Sequence, residues 1–314
     1  MRGVLLVVMA ALLTGCLGER GGAPGPPPAE GLRLDTEVGS MTILLYRAAA
    51  PETVRLMEAY VEEGYFVGRE FSRVVPTHVI QVVDRMNGAT EDGRRVPLET
   101  HPAHRFSAGA LGIARGEAPD SGGPEFFIMD FATSHLHERY TVWGQVVEGL
   151  DVVRRIARVE AVDLRPATAV PVAGEALLDR MAVRPVRITG MTRVTLDLPA
   201  DVLARYPLVV PPNQRTGDWR HSLEWPRDLS AGAASDLTWY VRAYNGTTAP
   251  HASAVTVRLA GADLPVQGDP LAPGAYRFSW TPPAPGRHEA TLIAGGTALG
   301  TLVIDVPHEA RPAR

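Results

Sequence analysis

Short segments in which apolar and polar residues alternate recur along most of this chain, and they constrain its fold more than any other feature. LRLDTEVGSMTILLY, from residue 32, predicts a β-hairpin that turns at Gly39 and Ser40. REFSRVV, VIQVVD, GALGIAR, FFIM and RYTVWGQVV follow as further short strands, and PVRITGMTRV is predicted to be the last strand of this half. Period-two alternation turns successive side chains to opposite faces of a sheet. A mainly β fold is therefore predicted.

Two amphipathic helices interrupt these strands. APETVRLMEAYVEEG has Pro51 near its first turn, apolar Val54, Met57 and Val61 on one face, and Gly64 at its end. EGLDVVRRIARV, near residue 150, has the same helical period. Many strands with two helices predict a closed antiparallel β-barrel whose ends are capped by the helices.

The second half of the chain, residues 198–314, contains more regular strands. DLTWYVRAY, AVTVRLAG and AYRFSWTPP alternate clearly, and HEATLIAGGTALGTLVIDV predicts a hairpin with a turn at Gly295 and Gly296. Evenly spaced strands without helices predict an immunoglobulin-like β-sandwich. The sequence shows no site in this half, so we interpret it as a spacer or as a module that binds a protein partner.

The first 16 residues, MRGVLLVVMAALLTGC, are typical of a signal peptide. Arg2 precedes a short apolar core from Val4 to Leu13, which is too short to span a bilayer as a permanent helix. LTGC resembles the lipobox of bacterial lipoproteins, in which the chain is cut before the cysteine and the cysteine is acylated. The lipobox resemblance implies lipid attachment at Cys16. An ordinary signal peptide with an unrelated cysteine is the alternative.

Residues 17–31 are rich in glycine and proline and are predicted to form a disordered tether. The lipobox resemblance places the protein in the cell envelope, anchored to a membrane and facing the periplasm. Leu17 follows the cysteine where an aspartate would imply the inner membrane, so the outer membrane is expected. Cys16 is the only cysteine, so an internal disulfide is excluded, and an acylated thiol cannot act as a nucleophile.

Composition excludes several classes of function. A net charge of -4 over 314 residues with 45% hydrophobic content fits a globular protein of roughly two domains and does not favour a nucleic-acid partner. No phosphate-binding or dinucleotide-binding motif is present, and no cofactor is predicted. Two close histidine pairs lack an H-E-x-x-H helix or supporting cysteines, so no metal is predicted, and a metal-dependent enzyme remains an alternative that rests on them alone. These pairs are His101 with His104 and His135 with His137.

The order of several motifs within residues 32–197 resembles the cyclophilin-type peptidyl-prolyl isomerases. The motifs are YFVGREFSRVVPTHVIQVVD, GALGIAR, PDSGGPEFFI and ERYTVWGQVVEGLDVV. The most specific parts are the F-x-R-V-x-P run with a glutamine five residues after the proline, the FFI, and the ending W-G-x-V-x-E-G-x-D-V-V. This resemblance implies an isomerase domain over residues 32–197. It also implies that the partners are proline-containing polypeptides, here exported proteins whose folding is assisted.

The resemblance also implies the chemistry. The cis and trans forms of an X-Pro bond differ by only ~0.5–1 kcal/mol, yet they interconvert slowly because resonance gives the C–N bond partial double-bond character. Arg73 matches the catalytic arginine of the family, whose guanidinium favours a lone pair localised on the prolyl nitrogen. Gln81 matches the glutamine that supports this arginine.

The apolar pocket for the proline ring is implied by the same resemblance. Phe127 matches its floor, Val79 and Leu136 its walls, and Tyr140 a polar aromatic at its rim. Phe126 is expected in the barrel core instead, because adjacent residues of a strand face opposite sides.

Three residues of this site depart from the pattern of the family. His78 replaces a pocket phenylalanine, Glu125 replaces a glutamine before FF, and His135 replaces a tryptophan or phenylalanine at the rim. All three are still assigned to substrate binding. They leave open an alternative function, a cyclophilin-fold binding or chaperone module with weak or no isomerase activity. Protonation of His78 is expected to weaken the site between about pH 5 and 7.

Overall fold

The computed structural model describes residues 29–83, 93–163, 180–243 and 249–308. The predicted signal peptide, the lipobox with Cys16 and residues 17–28 of the predicted tether lie outside the described residues. The last three residues of that prediction, 29–31, are not a tether, because they begin the first strand of the barrel and pair with its last strand. Among the described residues, no helix is both long enough and apolar enough to cross a membrane.

Eight antiparallel strands of the first half form a closed barrel. Going around the barrel, the strands are β1 (Ala29–Thr36), β2 (Gly39–Leu45), β7 (Val142–Glu148), β5 (Ala110–Ile113), β6 (Phe126–Met129), β4 (Val79–Val82), β3 (Glu70–Val75) and β9 (Arg180–Leu196). Pairing of β9 with β1 closes the ring, and the short β8 (Ala161–Asp163) pairs with β9 outside it. Closure leaves no unpaired edge in the ring. The predicted barrel is confirmed.

Two helices pack against the barrel, as predicted. Helix α1 (Pro51–Glu62) begins at a proline and buries Val54 and Met57. Helix α2 (Leu150–Ala157) buries Val153 and Ile156. These side chains join one core cluster with the inward-facing strand residues, including Phe126 and Trp143. The helical period read from the sequence therefore identified the faces that are buried.

Two details differ from the prediction. The first hairpin turns at Glu37 and Val38, because Thr36 pairs with Gly39 and its hydroxyl donates to the Gly39 carbonyl at 2.7 Å. The last strand begins at Arg180, several residues earlier than expected. Pro185 lies inside this strand, where the pairing with β3 shifts register, and such an irregularity tolerates a residue without an N–H.

The second half forms a sandwich of two antiparallel sheets. One sheet contains, in order, β10 (Gln214–Thr216), β11 (Trp219–Glu224), β12 (Ser235–Ala243), β16 (Ala272–Trp280) and β15 (Gln267–Asp269). The other contains β14 (Ala262–Pro265), β13 (Val255–Leu259), β17 (Gly286–Ala294) and β18 (Thr297–Val306). A five-residue helix, α3 (Ala200–Ala204), precedes the sandwich, and a 3-10 turn (Ala252–Ala254) lies within it.

The inner faces of the two sheets share one core, as the alternation predicted. Leu237, Trp239 and Val241 of β12 pack with Val257 and Leu292 of the opposite sheet. The hairpin of β17 and β18 turns at Gly295 and Gly296, whose φ angles of 55° and 80° are those of a left-handed turn. The predicted β-sandwich is confirmed.

The outer face of the five-stranded sheet packs against the barrel. Side chains on this face would contact water in an isolated sandwich, yet Tyr240 is only 2% exposed and Glu224 only 6%. The Tyr240 ring lies 4.7 Å from the Phe131 ring of the barrel, in an apolar cluster that also contains Ala108 and Val210. The sandwich is thus attached to the barrel by a buried contact.

Polar contacts reinforce this junction. Glu224 accepts a hydrogen bond from the backbone N–H of Ala108 at 2.9 Å and another from the Tyr240 hydroxyl at 2.5 Å. Arg154 of α2 forms an ion pair with Asp269 of β15. The strands divide between β9 and β10, and the domain limits given from the sequence, 32–197 and 198–314, stay predictions.

Candidate active site

One line of directly paired residues crosses four barrel strands on the outer face. Arg73 of β3 pairs with Gln81 of β4, Gln81 pairs with Phe127 of β6, and Phe127 pairs with Gly112 of β5. Directly paired residues point to the same side of a sheet. Phe126, Ile80 and Leu111, which are next to members of this line, belong to the inner core, so the line forms an external surface.

Arg73 and Gln81 are joined within this line. The Nη1 atom of Arg73 donates a hydrogen bond to Oε1 of Gln81 at 2.7 Å. A guanidinium always carries its charge, and one fixed N–H leaves the remaining donors of its planar fork in a defined orientation. The structure therefore brings together the two residues assigned to catalysis.

An apolar cluster adjoins this pair on the same face. Val79 and Phe127 are nearly buried in it, and Leu136 and Tyr140 pack against it. The Tyr140 ring stands edge-on to the Phe127 ring, with 5.8 Å between centroids. The four residues assigned to the proline pocket therefore lie together.

Two further residues shape the cluster and were missed in the sequence. Phe106 stacks on Phe127 with 5.6 Å between ring centroids and is fully buried. Gly112 lies beneath the Phe127 ring, which a Cβ at this position would overlap. Glycine inside a strand is the signal that could have identified this close approach. Phe106 precedes β5 in a loop, and alternation gives no signal there.

His78 and His135 form a stacked pair beside the pocket. Their ring centroids lie 5.3 Å apart, and their planes are inclined by 27°. His78 is only 5% exposed, whereas His135 is an exposed residue. Nδ1 of His135 lies 2.6 Å from the hydroxyl of Thr133. Two histidines thus occupy a position where the family pattern has aromatic rings.

The surroundings of both imidazoles lower their pKa values and so favour the neutral form. Burial lowers the pKa of His78 well below its ordinary value, and the charges of Arg242, Arg73 and Arg220 lower it further. The pKa of His135 falls to about 4, first through burial and then through Arg220 and Arg242. Neutral rings can line an apolar pocket without a buried charge. The decline expected between about pH 5 and 7 therefore shifts to lower pH.

A buried carboxylate fixes the turn that leads into His78. Thr77 has a left-handed φ of 64°, and its backbone N–H donates to Asp130 at 2.7 Å. Arg158, at the end of α2, also donates to Asp130, at 3.2 Å. Burial raises the pKa of Asp130 while Arg158 and the Thr77 N–H lower it. The turn between β3 and β4 is thus held by the segment that follows β6.

Glu125 lies just before β6 and is half-buried. Its backbone carbonyl accepts a hydrogen bond from the N–H of Ala114 at 2.8 Å, which continues the pairing of β5 with β6. Alternation along the strand places Glu125 on the same outer face as Phe127. Its assignment to substrate binding stays a prediction.

The histidine pairs considered for metal binding make ring contacts with each other or with pocket residues. His101 and His104 pack against each other with centroids 4.8 Å apart, and His137 stacks on Phe106. Burial lowers the pKa of both His104 and His137 to about 4. Within the described ranges, no group of three or more histidine, cysteine or acidic residues could hold a metal ion.

Comparisons with known proteins identify the family of this chain. Residues 32–176 match the family model described as "Cyclophilin type peptidyl-prolyl cis-trans isomerase/CLD". The human protein "Peptidyl-prolyl cis-trans isomerase-like 1" is 32% identical over 132 residues, which cover 40% of this chain and 79% of the human protein. The chain belongs to the cyclophilin-type peptidyl-prolyl cis-trans isomerase family. Its reaction is the cis-trans isomerisation of X-Pro peptide bonds.

One further relative and one solved structure are also similar to this chain. A bacterial "Peptidyl-prolyl cis-trans isomerase" from Acinetobacter baylyi is 30% identical over 135 residues, which cover 41% of this chain and 72% of that protein. A solved structure of a cyclophilin-type isomerase from Cryptosporidium parvum aligns with a TM-score of 0.46 and 18% identity, covering 54% of this chain and 99% of that one. The family model, over residues 32–176, covers the barrel strands up to β8 and ends before the sandwich.

Proposed function

We propose that Arg73 catalyses proline isomerisation in exported polypeptides at the cell envelope. The hydrogen bond from Arg73 to Gln81, beside an apolar cluster with Phe127 on the same face, is the observation that supports this assignment. The pair lies on the outer surface of a closed barrel, where a polypeptide chain can reach it without unfolding.

The proposed mechanism needs no covalent step. A proline ring packs on Phe127 between Val79 and Leu136, so its pyrrolidine is held while the preceding carbonyl rotates. The Arg73 guanidinium stabilises the lone pair that localises on the prolyl nitrogen when the amide twists and its resonance is lost. Gln81 keeps the guanidinium aimed at that nitrogen, so the stabilising charge is preorganised.

We also propose that Cys16 carries the lipid that holds the barrel and sandwich at the periplasmic face of the outer membrane. The LTGC motif with its short apolar core, followed by a residue other than aspartate, supports this location. The Gly/Pro-rich composition of the residues between Cys16 and β1, which begins at Ala29, supports a flexible tether to the folded domains.

The test of the catalytic assignment is the isomerisation of X-Pro peptides by the folded chain without its signal peptide. Arg73→Ala is expected to lower kcat/KM about 100-fold, because a preorganised charge at the reacting atom contributes ~3 kcal/mol to the barrier reduction. Arg187→Ala serves as the matched control, since Arg187 is exposed on β9 and forms an ion pair with Glu70.

Two outcomes would contradict the assignment. Equal rates for the Arg73→Ala variant and the unchanged protein, both above the uncatalysed rate, would remove Arg73 from the mechanism. Absence of catalysis in both proteins, combined with saturable binding of proline peptides, would favour the alternative of a binding module. The replacement of two aromatic positions by His78 and His135 is the observation that favours this alternative.

A further inference from the structure

The loop that carries one wall of the proline pocket also contacts the segment that leads into the sandwich. This wall loop, residues 133–137, follows β6 and contains His135 and Leu136. Leu136 packs against the apolar cluster of Phe127. The His135 ring stacks on that of His78. The wall loop lies outside the helices and strands, so its path depends on the contacts that its own residues make.

Asn213 binds the wall loop through three hydrogen bonds. Its side-chain Oδ1 accepts from the backbone N–H of Ser134 at 3.0 Å, and its own backbone N–H donates to the Ser134 hydroxyl at 2.8 Å. Its Nδ2 donates to the Thr133 hydroxyl at the longer distance of 3.4 Å. That hydroxyl lies 2.6 Å from Nδ1 of His135. Asn213 therefore holds both the main chain and a side chain of Ser134, and its contact extends to the His135 ring.

This contact fixes the part of the wall loop that carries Leu136. Phe106 of the barrel holds the two ends of the loop, since its carbonyl accepts from the Thr133 N–H at 2.8 Å and its N–H donates to Nδ1 of His137 at 3.3 Å. Between these ends, the Ser134 carbonyl accepts from the His137 N–H at 3.1 Å and closes a turn around Leu136. Because Asn213 holds Ser134, it determines where this turn lies against the pocket.

The segment before β10 gives Asn213 a fixed position of its own. Val210 is buried in the apolar cluster at the junction, which also contains Phe131 of the barrel. Pro211 and Pro212 connect Val210 to Asn213, and each ring restricts the backbone φ to about −65°. A segment with so few accessible conformations loses little entropy when Asn213 binds the loop.

We propose that Asn213 is a positioning residue of the isomerase, which strengthens substrate binding by holding Leu136 and His135 beside the proline pocket. Asn213 lies outside residues 32–176, the region that the family model covers. The catalytic pair forms its own hydrogen bond at 2.7 Å between β3 and β4. Loss of the Asn213 contact is therefore expected to raise KM and to leave kcat nearly unchanged. The inference rests on the proposed function and gives the segment next to the sandwich a part in it.

KM and kcat for a short peptide with a central Ala-Pro bond, measured on the full folded chain, test this role. Asn213→Leu keeps the approximate size of the side chain and removes its two hydrogen bonds. It is expected to raise KM about tenfold and to change kcat by less than about twofold. Asn213→Asp retains an acceptor for the Ser134 N–H, so its KM should stay within about threefold of that of the unchanged protein. Gln214→Leu is the matched control and should change neither constant, because Gln214 is the neighbouring amide and is exposed.

Two readouts separate positioning from a purely structural role. Partial unfolding of a variant removes active molecules, which lowers the apparent kcat and leaves KM unchanged. The second readout combines Asn213→Leu with Leu136→Ala. In the Leu136→Ala background, Asn213→Leu should raise KM by no more than about twofold, because the side chain that Asn213 positions is already missing. Effects on KM that are fully additive would show that Asn213 does not act through Leu136, and the inference would be wrong.

The remaining outcomes distinguish this inference from the proposed function. A KM for Asn213→Leu equal to that of the Gln214→Leu control overturns the inference and leaves the isomerase function in place. If the unchanged protein does not accelerate isomerisation, the proposed function fails, and calorimetric Kd values for the same peptide decide the inference alone. Equal Kd values for the unchanged protein and Asn213→Leu then overturn it. A protein that neither isomerises nor binds the peptide overturns both.

Discussion

Glu224 should couple the sandwich to the barrel. Its carboxylate is buried and accepts hydrogen bonds from the Ala108 N–H of the barrel and the Tyr240 hydroxyl of the sandwich. Glu224→Ala removes both acceptors and leaves two buried donors without partners. A hydrogen bond to a charged group contributes ~1.5–3 kcal/mol, and the burial of the charge offsets part of this. We expect the variant to lose ~2–4 kcal/mol of unfolding free energy.

Glu224→Gln is the matched comparison because it retains the shape and one acceptor for the Ala108 N–H. Burial raises the pKa of Glu224, so the folded state holds its proton more tightly than the unfolded state does. The stabilisation that protonation gives is fully present below the unfolded pKa and is lost as the pH rises through the folded pKa. The Gln variant carries no such charge, so its stability relative to the unchanged protein should improve as the pH rises from about 4 towards 7.

Urea unfolding of the full folded chain, followed by tryptophan fluorescence, measures these changes. The Glu224→Ala variant should unfold at a lower midpoint, with barrel and sandwich separating into two transitions as their contact is lost. Glu289→Ala controls for the loss of any carboxylate, since Glu289 is exposed on β17. A Glu224→Ala variant whose stability lies within about 0.5 kcal/mol of the unchanged protein would refute the reasoning, because surface substitutions produce changes of that size.

Three further predictions concern the pocket and the anchor. Gly112→Ala should lower kcat/KM at least tenfold, because the new Cβ displaces the Phe127 ring, while circular dichroism shows that the barrel is still folded. An unchanged kcat/KM would show that the contact of Gly112 with the Phe127 ring does not matter for catalysis. The folded pKa of His78 is well below 6.5, so kcat/KM should stay constant from pH 7 to about 5.5 and decline only at lower pH. The His78→Phe variant should lack that decline. Identical pH profiles for the variant and the unchanged protein would show that His78 does not control it. The Cys16→Ser variant should leave the membrane fraction, and its mass spectrum should lack the added mass of an acyl group. If the protein that retains Cys16 is wholly soluble and carries no lipid, the proposed anchor is wrong.

Alternation and helical period predicted the main strands and the two helices of the barrel. They did not predict the short helix α3, in a half expected to lack helices, or the strands β8, β10, β11, β14 and β15. Val54 and Met57 of α1, and Leu237 and Trp239 of β12, are buried as their spacing indicated, because side-chain direction follows directly from backbone periodicity. The details that failed depend on pairing. The turn at Glu37 and Val38 follows from register between strands, which alternation within a single strand does not fix.

The candidate site was predictable where it depended on one motif. The sequence placed Arg73 and Gln81 eight residues apart, and the two strands pair so that their side chains meet. Phe106 was not predictable because it reaches Phe127 from a loop, whose path depends on its surroundings. The environment of His78 was not predictable either, since two of the arginines that lower its pKa, Arg220 and Arg242, belong to the sandwich.

The sequence by itself determined the family, the barrel and sandwich classes and the polar character of the catalytic pair, because these depend on local pattern and motif order. Only the tertiary structure decided what the sandwich contacts. Tyr240 and Glu224 have the polar, outward positions of an exposed strand face, and nothing in their spacing indicates burial. Their burial arises from contact with residues more than 100 positions earlier in the chain, such as Ala108 and Phe131. Contacts at that sequence separation depend on how the surfaces of the folded barrel and the folded sandwich complement each other, and local sequence patterns do not encode this.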